Sequence, residues 1–315
     1  MKISDIQILI KIAELQSITA AAKHFGISVS SASVSLKRVE AALGVDLVVR
    51  TTRKLRLTIE GERFIPICSQ ALLLLQKAQN TLNEEQHEIS GEVRLAVSSE
   101  MGRNLMRILL DNVIESHNSL SLKLYVSDGR ADFYKDNVDV ALRDMVQTEA
   151  NESNLYGFKI ANIPHILCAS PSYIAKQGEP MEPEDLVSHN ILLYKIDDVI
   201  HDGWELLKKE TKHRVKVKGN RTSNDSDIVR RWCVEGFGIS KKSALDVAND
   251  LLEGRVKRLM PCYQFQLTEL WLLLPSRQLI TPSIRLIRDE LKQEIKKVRE
   301  KLLEEKILSS SEWPL

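Results

Sequence analysis

The sequence predicts a small all-α head closed by a β wing, one long connecting helix, and an α/β body. Three observations predict it. Residues 4–43 hold three short helical patterns punctuated by Ser17, Gly26, Ser28 and Gly44. Residues 64–82 repeat apolar positions at four- and three-residue steps. After Gly91, strand-like and helix-like runs alternate through most of the remaining chain. Such alternation builds layered α/β domains with largely parallel sheets, and roughly 200 residues of it suit two lobes better than one.

In the head, residues 4–14 read as a first helix with Ile6, Leu9, Ile10 and Ala13 on one face. Ser17 caps a second that runs through Ala20–Ala22 to Phe25, and its alanines let a neighbouring helix pack close. Gly26 permits a tight turn. Ser28 caps a third helix over about 29–43, with Ala32, Leu36, Val39 and Leu43 facing inward and Gly44 at its end. Residues 46–50 and 55–58 read as a short hairpin whose tip is Thr51, Thr52, Arg53 and Lys54. A helix that opens with small polar residues and carries Lys37 and Arg38 further along is how a protein enters a DNA groove.

Thr58 caps the connecting helix, with Glu60 and Glu62 in its first turn where the dipole favours acids. Phe64, Cys68, Ala71, Leu75, Ala78 and Leu82 then form a narrow seam between polar flanks, interrupted by Pro66, which is expected to bend the first turns. The seam fits a dimer helix; the alternative is one amphipathic helix lying on its own domain.

In the body, EVRLAVSS reads as a strand, 101–116 as an amphipathic helix, and SLSLKLYV as a half-buried strand. VDVALR, IPHILCAS, ILLY and RVKVKG follow as strands. Next come a helix near 225–235, GFGIS, a helix at 241–252, VKRLM and TELWLLLP. A long charged helix starts near Pro282, and SSSEWPL reads as a loose tail.

Composition narrows the class. The 315 residues are 43% hydrophobic with a formal net charge of +1. The charge is uneven. The first 65 residues carry ten Lys/Arg against six Asp/Glu, the remainder 34 against 37. A basic head on a slightly acidic body fits a nucleic-acid-binding end joined to something else. The first residues lack a signal-peptide core, and no apolar run approaches the ~18 residues of a membrane span. Four dispersed cysteines without a CxxC fit a cytoplasmic chain with reduced thiols. GxSxG, HExxH, P-loop and GxGxxG patterns are missing, and the seven histidines show no metal-ligand spacing, so no catalytic residue, metal or cofactor is expected. His165 and His189 are read as structural.

SITAAAKHFGIS, RVEAALGVDLVVRTTRKLRLT and Gly61 resemble the winged helix-turn-helix of LysR-type transcriptional regulators. VDVALRD, ILCASPSYIAKQGEP, PEDLVSHNILLY, LLEGRVKRLM and LLLPSRQLITPSIRLIRDEL resemble the body of that family in order and spacing. The resemblance implies a winged helix-turn-helix N-terminal domain at 1–59, its helix-turn-helix at about 19–38, and a dimerisation helix at 60–90. It implies a two-lobed, periplasmic-binding-protein-like α/β effector body at 91–300, with lobe I at about 91–162 and 268–300, lobe II at about 163–267, and a tail at 301–315. Implied partners are operator double-stranded DNA, a small-molecule effector, further copies of the chain as a dimer of dimers, and RNA polymerase, with no membrane.

The resemblance starts the recognition helix at Ser28. Ser28, Ser30, Ser31 and Ser33 then lie in its first turns, with Ser35, Lys37 and Arg38 beyond, and Arg50, Arg53 and Lys54 on the wing. Val29 and Val34 stand where many relatives carry long polar residues, so base reading leans on shape and phosphate placement. In the body, Ser98, Ser99 and Glu100 after the first strand, Arg143 after VDVAL, and Ser223 and Asn224 before a helix are the implied effector contacts. Helix caps and solvated loops are the plain alternative for each. Glu100 disfavours an anion lying close to it.

Two alternatives accompany this reading. A thiol-based redox sensor of the same fold would use Cys233 or Cys168, with Arg230 and Arg231 supplying positive charge. A small-molecule-binding enzyme is the weaker one.

Overall fold

The structure, a computed structural model, describes residues 1–50, 55–83, 89–129, 133, 138–145, 155–196 and 199–314. The chain divides into two compact units, Met1–Glu88 with Asp132–Asn137, and Ile89–Ala131 with Val138–Leu315.

In the first unit, α1 (Ile3–Leu15), α2 (Ile18–His24) and α3 (Val29–Leu43) surround a core of Leu9, Ile12, Ala21, Ala32, Leu36 and Val39. Local chemistry sets their ends. The Ser17 hydroxyl accepts from the Ala20 N–H, and the Ser28 hydroxyl from the Ser31 N–H. Gly26 and Gly44 close α2 and α3 with positive φ of 64° and 72°. Leu43 differs from the expected inward face: it is exposed in the last turn of α3. The face of α1 is also rotated from the expected one, with Asp5, Leu9 and Ile12 buried. Asp5 is tolerated there because Arg38 and the Lys2 N–H bond its carboxylate.

The wing is β1 (Val48–Arg50) against β2 (Leu55–Leu57), antiparallel. Glu40 fastens its entry by accepting from the Leu47 N–H at 2.9 Å. The Thr58 hydroxyl accepts from the Gly61 N–H and opens α4 (Ile59–Asn83), which runs unbroken through Pro66. A Cβ on Gly61 would stand 2.2 Å from the Leu47 carbonyl oxygen, so only glycine lets α4 approach the wing this closely. The expected seam divides along α4. Cys68 is buried and Phe64 packs on the head's own core, whereas Ala71, Leu75 and Ala78 are exposed. The side chain of Leu82 lies outside the described residues.

Among the described residues, the second unit contains a five-stranded sheet and, in its second lobe, two three-stranded sheets and a two-stranded hairpin. The five-stranded sheet has the order β4 (Leu120–Val126), β3 (Gly91–Val97), β5 (Val140–Met145), β15 (Thr268–Leu274), β6 (Tyr156–Ile163). β3 pairs parallel with β4 and β5, but β15 returns from the second lobe and pairs antiparallel with β5 and β6. The sheet is therefore mixed rather than largely parallel. A helical run, α5, follows β3: an α turn at Ser99–Met101, a π-helical turn at Gly102–Met106 and a regular helix at Arg107–Ser116.

The second lobe opens with β7 (His165–Ala169), α6 (Pro171–Gln177) and β8 (Leu192–Ile196), with β9 (Val199–Ile200) antiparallel to β8. A hairpin, β10 (Gly203–Lys208) and β11 (Thr211–Lys216), precedes β12 (Arg221–Ser223), which pairs parallel with β8. α7 (Ser226–Val234) comes next. β13 (Ser240–Ser243) and β14 (Lys257–Leu259) then flank β7 antiparallel. The helix expected at 241–252 is thus a strand followed by turns and a short helix, α8 (Ala248–Leu252). Pairing with β7 overrides the helical spacing of its apolar residues.

The final helix α9 (Pro282–Glu304) buries Ile284, Ile287, Leu291, Ile295 and Leu302. The tail is not loose. Leu308 and Trp313 are 4% and 1% exposed and belong to the main core. Arg258 of β14 bonds the Ile307 carbonyl at 2.9 Å and pairs with Glu312, and Arg299 donates to the Trp313 carbonyl at 2.7 Å.

Candidate nucleic-acid interface and effector cleft

On the head, capping at Ser28 turns the start of α3 outward. Ser28, Val29, Ser30, Ser31, Val34 and Lys37 are all exposed. The Ser28 hydroxyl lies 2.8 Å from those of Ser30 and Ser31, a compact cluster of polar groups at the positive end of the helix dipole. Ser33 is half-buried. Of the expected DNA contacts, Ser35 is buried and Arg38 is bonded within the head. Ser35 is 7% exposed and, with Arg38, bonds Asp5, so it belongs to the core side of the helix. Arg38 donates to Asp5 at 2.8 Å, which ties its guanidinium to α1 although its side chain remains 45% exposed. Burial raises the Asp5 carboxyl, but the Lys2 N–H, Ser35 and Arg38 outweigh it and hold it below the usual range. The side chain of Arg50, and Arg53 and Lys54 entirely, lie outside the described residues.

In the body, the parallel pairing of β3 and β4 brings Val97 beside Val126, so both strands end at one edge. Ser98–Glu100 and Asp128–Gly129 therefore emerge together, where α/β sheets place ligands. A cavity of ≈ 560 Å³ lies there, lined by Asp128, Gly129, Lys195, Ile196, Thr222, Ser223 and Asn224. Of the expected effector contacts, Ser223 and Asn224 line it. Arg143 reaches its wall, donating to the Gly129 carbonyl at 3.2 Å. Burial lowers the Arg143 pKa. Ser98 caps α5 by backbone geometry alone.

Ser99 and Glu100 are spent differently. The Ser99 N–H and hydroxyl donate to Asp128 at 2.5 and 2.7 Å. Glu100, 1% exposed, accepts from the Ser226 hydroxyl at 2.5 Å and the Lys242 ammonium at 2.6 Å. Its other oxygen is buried without a hydrogen bond. Burial pushes the Glu100 carboxyl up, with Lys242 pulling it back. Sequence offers both as effector contacts; in the structure their side chains are bonded across the two lobes. The π turn adds Arg103 to Asp225 at 2.8 Å and Asn104 to Asp227 at 2.9 Å. A Cβ on Gly102 would lie 2.7 Å from Val97, so glycine lets this turn sit on the strand.

Asp128, Gly129, Lys195, Ile196, Thr222 and Lys242 were not singled out from sequence. Asp128 carried a usable signal: like Ser98, it follows a strand at the sheet edge.

The redox alternative is not favoured by the surroundings of the thiols. The Cys168 and Cys233 thiols are 3.8 Å apart but both buried. Their mutual hydrogen bond, then burial, raises the Cys168 pKa well above the ordinary value. A sensor thiol needs the opposite. His189 bonds the Tyr173 hydroxyl at 3.1 Å. Burial, with Lys241 and Lys242 nearby, lowers His165 to about 3. Among the described residues no group of three or more His, Cys, Asp or Glu is placed to hold a metal ion, and no helix is long and apolar enough to cross a membrane.

Comparison with known proteins converges on one family. Residues 3–62 match the bacterial regulatory helix-turn-helix protein, lysR family, and residues 86–296 match the LysR substrate binding domain. The HTH-type transcriptional regulator DmlR of Escherichia coli K12 is 29% identical over 92% of this chain and 94% of its own. CrgA, a LysR-type transcriptional regulator from Neisseria meningitidis, superposes with a TM-score of 0.55 at 25% identity, covering 95% of this chain and 98% of its own. The full-length virulence activator AphB of Vibrio cholerae shares the fold at a TM-score of 0.56 and 23% identity, over 93% and 99% of the two chains.

Proposed function

The chain belongs to the LysR family of transcriptional regulators, and from that premise we propose how this member works in the cytoplasm. Copies pair through the exposed part of α4, where Ala71, Leu75 and Ala78 present small and apolar groups to a partner helix. Two such pairs assemble into a tetramer and hold their heads at neighbouring operator half-sites. Each head lays the start of α3 in a major groove and its wing along the phosphates. A small molecule in the ≈ 560 Å³ cavity changes the arrangement of the lobes and so the spacing of the heads. RNA polymerase is the machinery whose access this spacing governs.

One observation carries the reading. The outward face of α3 holds Ser28, Ser30, Val34 and Lys37 in the open, spaced as groove-facing positions are. The test is a salt titration of duplex binding. Lys37→Ala and Arg53→Ala should each weaken operator and random DNA alike by about 1 kcal/mol and reduce the salt slope by about one. Affinity and slope unchanged in both variants would remove these residues from the interface. A thermal-shift screen of metabolites suggested by the genes recovered in a DNA pull-down tests the effector half. If every metabolite that binds leaves the DNA footprint and bend unchanged, that half fails.

A further inference from the structure

We propose that Asp128 is a tethered ligand of the cleft, a carboxylate supplied by the chain itself that clasps the two lobes without an added molecule. Donors from both lobes converge on it, the Tyr194 hydroxyl of the second lobe among them. Oδ1 accepts from the Ser99 N–H at 2.5 Å. Oδ2 accepts from the Ser99 hydroxyl at 2.7 Å and from the Ser226 N–H at 2.7 Å. Ser99 opens α5 beside the five-stranded sheet, and Ser226 opens the nine-residue α7 of the other lobe. Two helix starts thus meet head to head, an arrangement of partial positive charges that calls for an anion between them. The protein has placed its own there.

The clasp is built on both sides. Inward, the Ser226 hydroxyl reaches Glu100, and Lys242 holds both Glu100 and the Ser226 carbonyl, the latter at 2.6 Å. Outward, Arg103 and Asn104 reach across to Asp225 and Asp227. Asp128 itself also lines the cavity, so a guest entering there meets a carboxylate whose donors are already engaged. Displacing that carboxylate separates the lobes at this edge. Holding it keeps them closed.

Hydrogen exchange on the full-length protein, without DNA, tests this apart from operator binding. In Asp128→Ala, segments 99–106 and 225–231 should both exchange about tenfold faster, the equivalent of one charge-assisted hydrogen bond lost in each. Sodium acetate, the excised carboxylate, should slow both again in the variant and change neither in the native protein. Sodium chloride at equal ionic strength should do nothing. Acceleration confined to 99–106 would make Asp128 an ordinary cap of one helix and overturn the proposal, as would acetate that fails to restore 225–231. If Asp128→Ala does not fold, Asp128→Asn keeps the shape and one acceptor oxygen. One oxygen can serve only one side, so unchanged exchange at both 99–106 and 225–231 in that variant overturns the clasp equally.

Discussion

The outer face of α3 and the cleft of the body are both rich in Ser and charged groups, yet they use them in opposite ways. On α3, Ser30, Ser31 and Lys37 stand exposed, in water, ready for another molecule. In the cleft, Ser99 and Ser226 are bonded through Asp128, and Glu100, Ser226 and Lys242 directly to one another. The difference follows from burial. An exposed hydroxyl stays solvated until DNA replaces the water, whereas a buried carboxylate must find donors within the fold. A polar cluster at a helix start is therefore an open surface in the head and a finished joint in the body.

The largest expected effect tests the joint. Lys242→Ala leaves Glu100 buried without its cation and should cost about 3 kcal/mol in denaturant unfolding. Glu100→Gln with Lys242→Met should recover most of that loss, because removing both charges removes the penalty. A single variant as stable as the native protein would show that the cleft groups are as free as those on α3.

A smaller effect comes from His165, which is held neutral in the lobe. Its folded pKa of about 3 lies below the unfolded value near 6.5. Between these pH values the unfolded chain binds the extra proton. Stability from this ring is therefore complete above about pH 6.5 and is lost as pH falls toward 3. Compared with the native protein, His165→Gln should flatten unfolding free energy between pH 7 and 5 by about 1 kcal/mol, discounted for the ring's partial exposure. Parallel pH profiles would place the ring in water.

The smallest effect is expected on α3. Ser30→Ala with Lys37→Ala should shift unfolding by no more than about 0.5 kcal/mol, since neither supports the fold. A larger loss would mean that this face too is structural.

How much of this was legible depended on how far apart in the chain the interacting residues are. Ser17, Ser28 and Gly44 mark helix ends through bonds within four residues, so they could be read directly. Ser35 looked like its serine neighbours on α3, but its place is set by Asp5 at the other end of the head, and periodicity around one helix cannot show that. The cleft was half visible. Ser98–Glu100 and Ser223–Asn224 follow strands and stood out. Lys242 meets Glu100 from 142 positions away, in a stretch whose apolar spacing is helical and whose structure is a strand. The tail misled for the same reason: SSSEWPL is polar and short, and only Arg258, Arg299 and the core show where it goes.

That anchored terminus has a practical edge. A ligand-sensing fragment trimmed at residue 296, where family similarity stops, would sever α9 midway and discard Leu302, Leu308 and the Trp313 indole. Such a fragment would expose greasy surface and clump on purification. Excising this half for biophysics means keeping the tail that carries Trp313.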